Sequence, residues 1–235
     1  MRINKYLASC ELGSRRKVEE FILNKQITIN GDIVDDLSYD VKMSDIVKYK
    51  GKTISPQNKK VYVMLNKPKC YITSLKDEKD RKIVMSLLKG LDYQVFPVGR
   101  LDYNTQGLLL LTNDGDWANN ITHPSKHISK TYEVQIKVMP TTKQLNALRN
   151  GIVIDGRKTL PAKAEIVDFR DNYYIVNITI YEGRNREIRK MFESLNIKIY
   201  ALKRLSIGDL QLGNLAEGKY RLLSNFEKDL VFGGE

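Results

Sequence analysis

The sequence predicts an α+β fold in two parts: a small N-terminal module of two helices and a hairpin, then a larger, mainly antiparallel mixed-sheet domain with flanking helices. Three observations predict it. The pattern changes near residue 61, from short amphipathic turns to many strands with few helices. Those strands are rich in β-branched residues, and several alternate, as in NITIY at 177–181, which suits a sheet with one covered face. Strands also outnumber helices too heavily for a regular βαβ winding. A chain of 235 residues is long enough for one sizeable core and a small accessory one.

In the first part, Ile3, Tyr6 and Leu7 stand at i, i+3 and i+4, the mark of a short amphipathic helix. Gly13-Ser14 breaks it, and Ser14 suits the N-cap of a second helix that places Val18, Phe21 and Ile22 on one face. Ile27–Asn30 and Ile33-Val34 flank Asn30-Gly31, a hairpin signal, and Ile46–Lys50 makes a further strand. Lys52–Lys60 is polar, basic and interrupted by Pro56, and reads as a linker. The division drawn is 1–55, a linker at 56–60, and 61–235. In the larger part, strands are expected at Val61–Leu65, Tyr71–Thr73, Val95–Val98, Leu108–Thr112, Tyr132–Val138, Ile152–Ile154, Lys163–Val167, Tyr173–Tyr181 and Ile199–Leu205. Helices are expected at Ile83–Lys89, Asp116–Ile121, Thr142–Asn150 and Asn185–Leu195.

Charge narrows the partners. The formal net charge is +11, which attracts polyanions and retains them through counterion release, so nucleic acid leads. Arg15, Arg16 and Lys17 fill the first turn of the second helix, against the helix dipole. A helix start with free N–H groups and three cations is a phosphate site; the competing reading is a solvated basic face. Cys10, Cys70, His123 and His127 are too few for a disulfide framework or a metal cluster, and Pro124 disfavours a helix presenting both histidines. No stretch holds the roughly 18 apolar residues of a membrane span, and the N-terminus lacks an apolar signal core. A soluble, cytoplasmic monomer is expected.

Val98–Asp116, VGRLDYNTQGLLLLTNDGD, sets Arg100 and Asp102 just before the apolar run Leu108–Leu111. The residues alone leave two readings of Asp102: a turn acid beside a core strand, or a carboxylate held for catalysis. Gly107 suits tight passage into the strand, and Asn113-Asp114-Gly115 reads as a turn, which makes Asp114 a poor second catalytic acid. On a helix over Asn185–Leu195, Ile188, Met191, Phe192 and Leu195 form one stripe with Arg189 on its flank. Glu187 holds the opposite flank, so helical geometry does not choose between them.

These segments together resemble the pseudouridine synthases, in particular the RsuA/RluB branch that modifies ribosomal RNA. GRLDYNTQGLLLLTNDGD is similar to the catalytic motif of that family, KTYEVQI (Lys130–Ile136) to its second motif, EGRNREIRKMF (Glu182–Phe192) to its third, and Leu202–Ser224 to its closing segment. The first 50 residues resemble the S4-like RNA-binding domain. The resemblance implies isomerisation of a uridine within ribosomal RNA to pseudouridine, on a base flipped out of its stack, without cofactor or metal. It implies that Asp102 is the nucleophile, that Arg189 pairs with it, and that Tyr132 stacks on the base or assists proton transfer. Arg100 is expected to insert toward the RNA. Lys130, Arg184, Arg186, Lys203 and Arg204 are weaker candidates for phosphate contacts on a basic rim, alongside Arg15, Arg16 and Lys17. Glu187 stands where the family commonly carries glutamine and is expected to tune the site. The pattern looks closer to large-subunit than to small-subunit enzymes, with ribosomal RNA or a pre-ribosomal particle as partner. The alternatives are a small-subunit enzyme, or a non-catalytic RNA-binding assembly factor of the same fold. A glycosidase or metal nuclease using Asp102 would need further acids that the sequence does not group.

Overall fold

In the computed structural model, residues 1–57 and 59–233 are described. The chain divides into two compact units, Met1–Lys60 and Val61–Glu235.

In the first unit, helices α1 (Ile3–Ser9) and α2 (Arg15–Leu23) precede strands β1 (Ile27–Ile29), β2 (Asp32–Ile33), β3 (Val47–Tyr49) and β4 (Lys52–Thr53). Ser14 caps α2 by accepting a hydrogen bond from the Lys17 amide. Asn30 and Gly31 both have positive φ, the geometry a two-residue hairpin turn requires, and β1 pairs with β2 through Ile29 and Asp32. Ile3, Leu7, Val18, Ile22, Ile27, Ile29 and Val47 bury one small core. The segment from Lys52 was expected to be linker throughout; its first two residues instead form β4, paired with β3.

The second unit is built on a nine-stranded sheet. Its strands are β5 (Tyr62–Lys67), β6 (Phe96–Val98), β7 (Gln106–Thr112), β8 (Lys130–Ile136), β11 (Lys163–Arg170), β12 (Tyr173–Ile180), β13 (Ile199–Ile207), β14 (Leu210–Gln211) and β15 (Tyr220–Leu222). A separate hairpin pairs β9 (Val153–Ile154) with β10 (Arg157–Lys158). The main path runs β11-β12-β8-β13-β7-β5-β15, with β6 on β7 and β14 on β13. All these pairs are antiparallel except β13 with β7. Helices α3 (Gly115–Thr122), α4 (Thr142–Asn150), α5 (Glu187–Glu193) and α6 (Asn225–Leu230) flank the sheet.

The run Leu108–Leu111 is explained by its place in the sheet. All four leucines are fully buried, because β7 is covered on both faces. Leu109 and Leu111 join one core with Val63, Leu65, Val134, Val176, Met191 and Phe192. Leu108 and Leu110 join the other, with Met64, Trp117, Ile121 and Ile207. Gly107 is needed for the approach of β13: a Cβ there would lie 2.2 Å from the Arg204 carbonyl oxygen.

Three expectations are corrected. Tyr71–Thr73 forms no strand; Ile72 makes only a single bridge to Ile83. Ile83–Lys89 is not an α-helix but a short 3-10 turn at Val84–Leu87: the apolar run is too short to sustain a helix, and Gly90 at φ 83° ends it. The helix expected from Asn185 begins only at Glu187, since Arg186 takes a left-handed conformation at φ 52°. Strands β10, β14 and β15 and helix α6 were not foreseen; β15 completes the sheet edge against β5. Among the described residues no helix is long and apolar enough to cross a membrane.

Candidate active site

The loop between β6 and β7 carries Arg100 and Asp102 at the mouth of a cavity of about 350 Å³. The loop is fixed from several sides. The Thr73 hydroxyl donates to the Leu101 carbonyl at 2.9 Å and accepts from the Leu101 amide at 3.3 Å. The Thr105 amide donates to the Asp102 carbonyl at 3.0 Å, and the Cys70 amide to the Tyr103 carbonyl at 2.8 Å.

Lys67, at the end of β5, is the residue that sequence reasoning missed. It is wholly buried, and its ammonium donates to the carbonyls of Pro68, Asp102, Tyr103 and Thr105 at 2.9–3.4 Å. One cation thus gathers the second half of the loop that presents Asp102 and ties it to the chain just after β5. Burial pushes this ammonium down to about 8, with the Asp102 charge acting in the opposite direction. A signal was available: Val63, Leu65 and Lys67 alternate along one strand, so Lys67 falls at a core position.

The structure brings Asp102, Tyr132 and Arg189 to one cavity. Arg189, on α5, places Nε 3.8 Å from Asp102 Oδ2 and donates to the Asn104 carbonyl at 2.9 Å and the Thr105 hydroxyl at 3.4 Å. The Asp102 side chain remains about one-third exposed (35%), so it is open to a ligand while held by a cation. Burial lowers the Arg189 pKa and Asp102 opposes that shift. Tyr132, on β8, is buried and lines the same cavity. Arg100 is exposed and borders both this cavity and a second one of about 510 Å³.

The expected basic rim is divided differently. Arg204 was expected there as a phosphate contact; it is instead buried, 3% exposed, with Nε donating to the Leu108 carbonyl at 2.7 Å and Nη1 to the Tyr132 hydroxyl at 3.4 Å. Alternation along β13, together with the close approach at Gly107, turns this side chain inward. Arg184 spends its guanidinium on the carbonyls of Ile154 and Arg157, tying the chain before α5 to the β9–β10 hairpin. Lys203 does not line the cavity, whereas Lys130 and Arg186 do. Lys130 is half-buried and donates to the Ile128 carbonyl at 2.8 Å; burial, then Arg204, pushes its ammonium down to about 8.

Glu187, expected on a helix flank, is buried at the first turn of α5 and accepts from the Arg184 amide at 2.9 Å. Burial raises its carboxyl to about 7, with the Glu182 charge adding to the rise. In the first unit, Arg15 and Arg16 are exposed at the start of α2, while Lys17 pairs with Glu20 at 2.5 Å. No group of three or more histidine, cysteine, aspartate or glutamate residues that could hold a metal is found among the described residues.

The cavity is large enough for a planar base, and its lining includes an aromatic ring, a cation-paired carboxylate and the buried guanidinium of Arg204. That set can bind an electron-rich ring and place a carboxylate against a sugar.

The family model for RNA pseudouridylate synthase matches residues 61–194, and that for the S4 domain residues 1–47. The chain is 39% identical over 228 residues to ribosomal large subunit pseudouridine synthase B of Bacillus subtilis, covering 96% of this chain and 93% of that protein. It is 34% identical over 225 residues to ribosomal small subunit pseudouridine synthase A of Pasteurella multocida, covering 95% and 96%. A crystal structure of a pseudouridylate synthase superposes with a TM-score of 0.70 at 33% identity, covering 98% of this chain and 99% of the other.

Proposed function

The chain belongs to the RNA pseudouridylate synthase family, and from that premise we propose that it isomerises a uridine of large-subunit ribosomal RNA to pseudouridine. Asp102 is the nucleophile. It meets C1′ of a flipped-out uridine as the glycosidic bond breaks, either forming a bond to that carbon or balancing its developing positive charge. Arg189 holds the carboxylate aimed through their ion pair, and Tyr132 supplies the wall on which the base lies. Arg100, exposed beside Asp102, meets the RNA strand from which the base has left. The first unit holds structured RNA through the start of α2, so that the larger unit acts on a substrate already captured.

The observation that carries this reading is the meeting of three separate segments at one cavity, with Asp102 and Arg189 3.8 Å apart and Tyr132 beside them. Preference for the large subunit rests on the greater identity to the large-subunit enzyme, 39% against 34% for the small-subunit one. The test is a map of pseudouridines across ribosomal RNA, by selective chemical labelling and primer extension, in cells with and without the gene. Loss of one large-subunit pseudouridine is expected. A lost small-subunit position would move the target, and an unchanged map would overturn the reading.

A further inference from the structure

We propose that the inner end of the cavity is an anion site for the detached base, in which the Arg204 guanidinium, with Lys130, holds the uracil between breakage of its bond to nitrogen and formation of its bond to carbon. This deepens the proposed function and rests on it.

The leading observation is a buried cation left half-used. Arg204 is 3% exposed and lines the cavity, its Nε and Nη1 engaged by Leu108 and Tyr132. Its Nη2 has no hydrogen-bond partner among the described residues. Arginine does not escape such a position by losing its proton, so an unsatisfied donor on a buried charge persists at a cost unless a ligand fills it. A second cation stands at the same cavity: Lys130 has three donors and spends one on the Ile128 carbonyl. The fall of its ammonium toward 8, caused by burial and then by Arg204, agrees with two cations crowded together. Asp102, the acid at the mouth, is already balanced by Arg189.

The burial of Arg204 selects the ligand. A backbone phosphate stays with its strand and contacts exposed cations; only an extruded base reaches a group this enclosed. The Arg204 guanidinium carbon lies 5.9 Å from the centre of the Tyr132 ring, so a ring resting on Tyr132 brings its edge toward Nη2.

The reaction supplies an anion there. When C1′–N1 breaks, its electron pair stays on the uracil, shared among N1, O2 and O4, while Asp102 meets C1′. After the ring turns, a pair from the anion forms C1′–C5, and an Asp102 oxygen that has bonded C1′ leaves it with the shared pair, restoring the carboxylate. The proton at C5 then leaves to solvent and N1 takes one up, so nothing is gained or lost overall. A donor fixed before the reaction stabilises the charge as it develops, without reorganisation.

The experiment uses the full chain and a large-subunit ribosomal RNA transcript, carrying either uridine or 5-fluorouridine. Single-turnover loss of the target nucleoside is followed by excising the target fragment, digesting it to nucleosides and separating these by chromatography before mass spectrometry. Fluorouracil is the more acidic leaving group and needs less help. Arg204→Met is expected to bind RNA as the wild type does and to slow uridine conversion by roughly 100–1,000-fold. Its defect on fluorouridine should be smaller by about tenfold, and Arg204→Lys should recover part of the loss. A wild-type rate in folded Arg204→Met, or an equal defect on both substrates, overturns the inference. Where Arg204→Met does not fold, Lys130→Met decides by the same comparison: a defect that shrinks on fluorouridine supports the anion site, and no defect or an equal one overturns it. A wild-type protein that forms no pseudouridine overturns the functional reading and this inference with it, a result distinct from an active wild type beside an unaffected variant.

Discussion

The start of α2 and the cavity of the larger unit both concentrate positive charge, in opposite surroundings. Arg15 and Arg16 stand in solvent at a helix end that disfavours them, where salt screens them. Lys67 and Arg204 are buried, donating to backbone carbonyls that fix the loop of Asp102 and the neighbouring strand. In the proposed reading, the same formal charge captures a substrate in one place and builds a site in the other. Net charge announced the first use and was silent about the second.

The comparison breaks most readily at Lys67. Lys67→Met leaves four carbonyls without their common donor and should cost about 3–5 kcal/mol of stability, measured by chemical denaturation. A loss below about 1 kcal/mol would mean that the buried cation does not hold the loop. Next is Arg189→Met, expected to lower kcat by roughly 100–1,000-fold with RNA affinity little changed. A variant that instead loses affinity while keeping kcat would place Arg189 with the capturing cations.

Glu187 sharpens the account through pH. Its folded pKa, about 7, lies above the ordinary carboxylate value, so between about 4.5 and 7 the folded protein keeps a proton that the unfolded chain has released. Its contribution therefore falls as pH rises through that window. Glu187→Gln should be near neutral at pH 4–5 and stabilising at pH 8, on the order of 1–3 kcal/mol, by denaturation at the two pH values. Equal effects at both would remove burial of the charge as the cause. The smallest effect is expected at the surface. Replacing Arg15 and Arg16 by alanine should weaken RNA binding about tenfold and reduce the slope of log affinity against log salt by about 2, leaving kcat at saturation unchanged. An unchanged slope would take those cations out of phosphate contact.

What the sequence made legible follows the same division. An unbroken apolar run placed Leu108–Leu111 in a core strand, and Ser14 and Asn30-Gly31 marked a cap and a turn, because these signals are local. The meeting of Asp102, Tyr132 and Arg189 rested on resemblance, since no spacing along the chain brings β8, α5 and the β6–β7 loop together. Arg204 was misplaced and Lys67 overlooked for one reason: a cation is read as surface unless its register in a strand is weighed against its charge. Ile83–Lys89 failed in the other direction, its apolar spacing being helical but its length too short for helix hydrogen bonds to repay nucleation.

The central claim is that Asp102 performs chemistry on RNA that other cations have brought to it. The direct test is Asp102→Asn in the full chain, with RNA affinity and pseudouridine formation measured on the same large-subunit transcript. Unchanged affinity is expected with product formation reduced by on the order of 10⁴-fold or more. Product at the wild-type rate would contradict the account and remove Asp102 from the reaction.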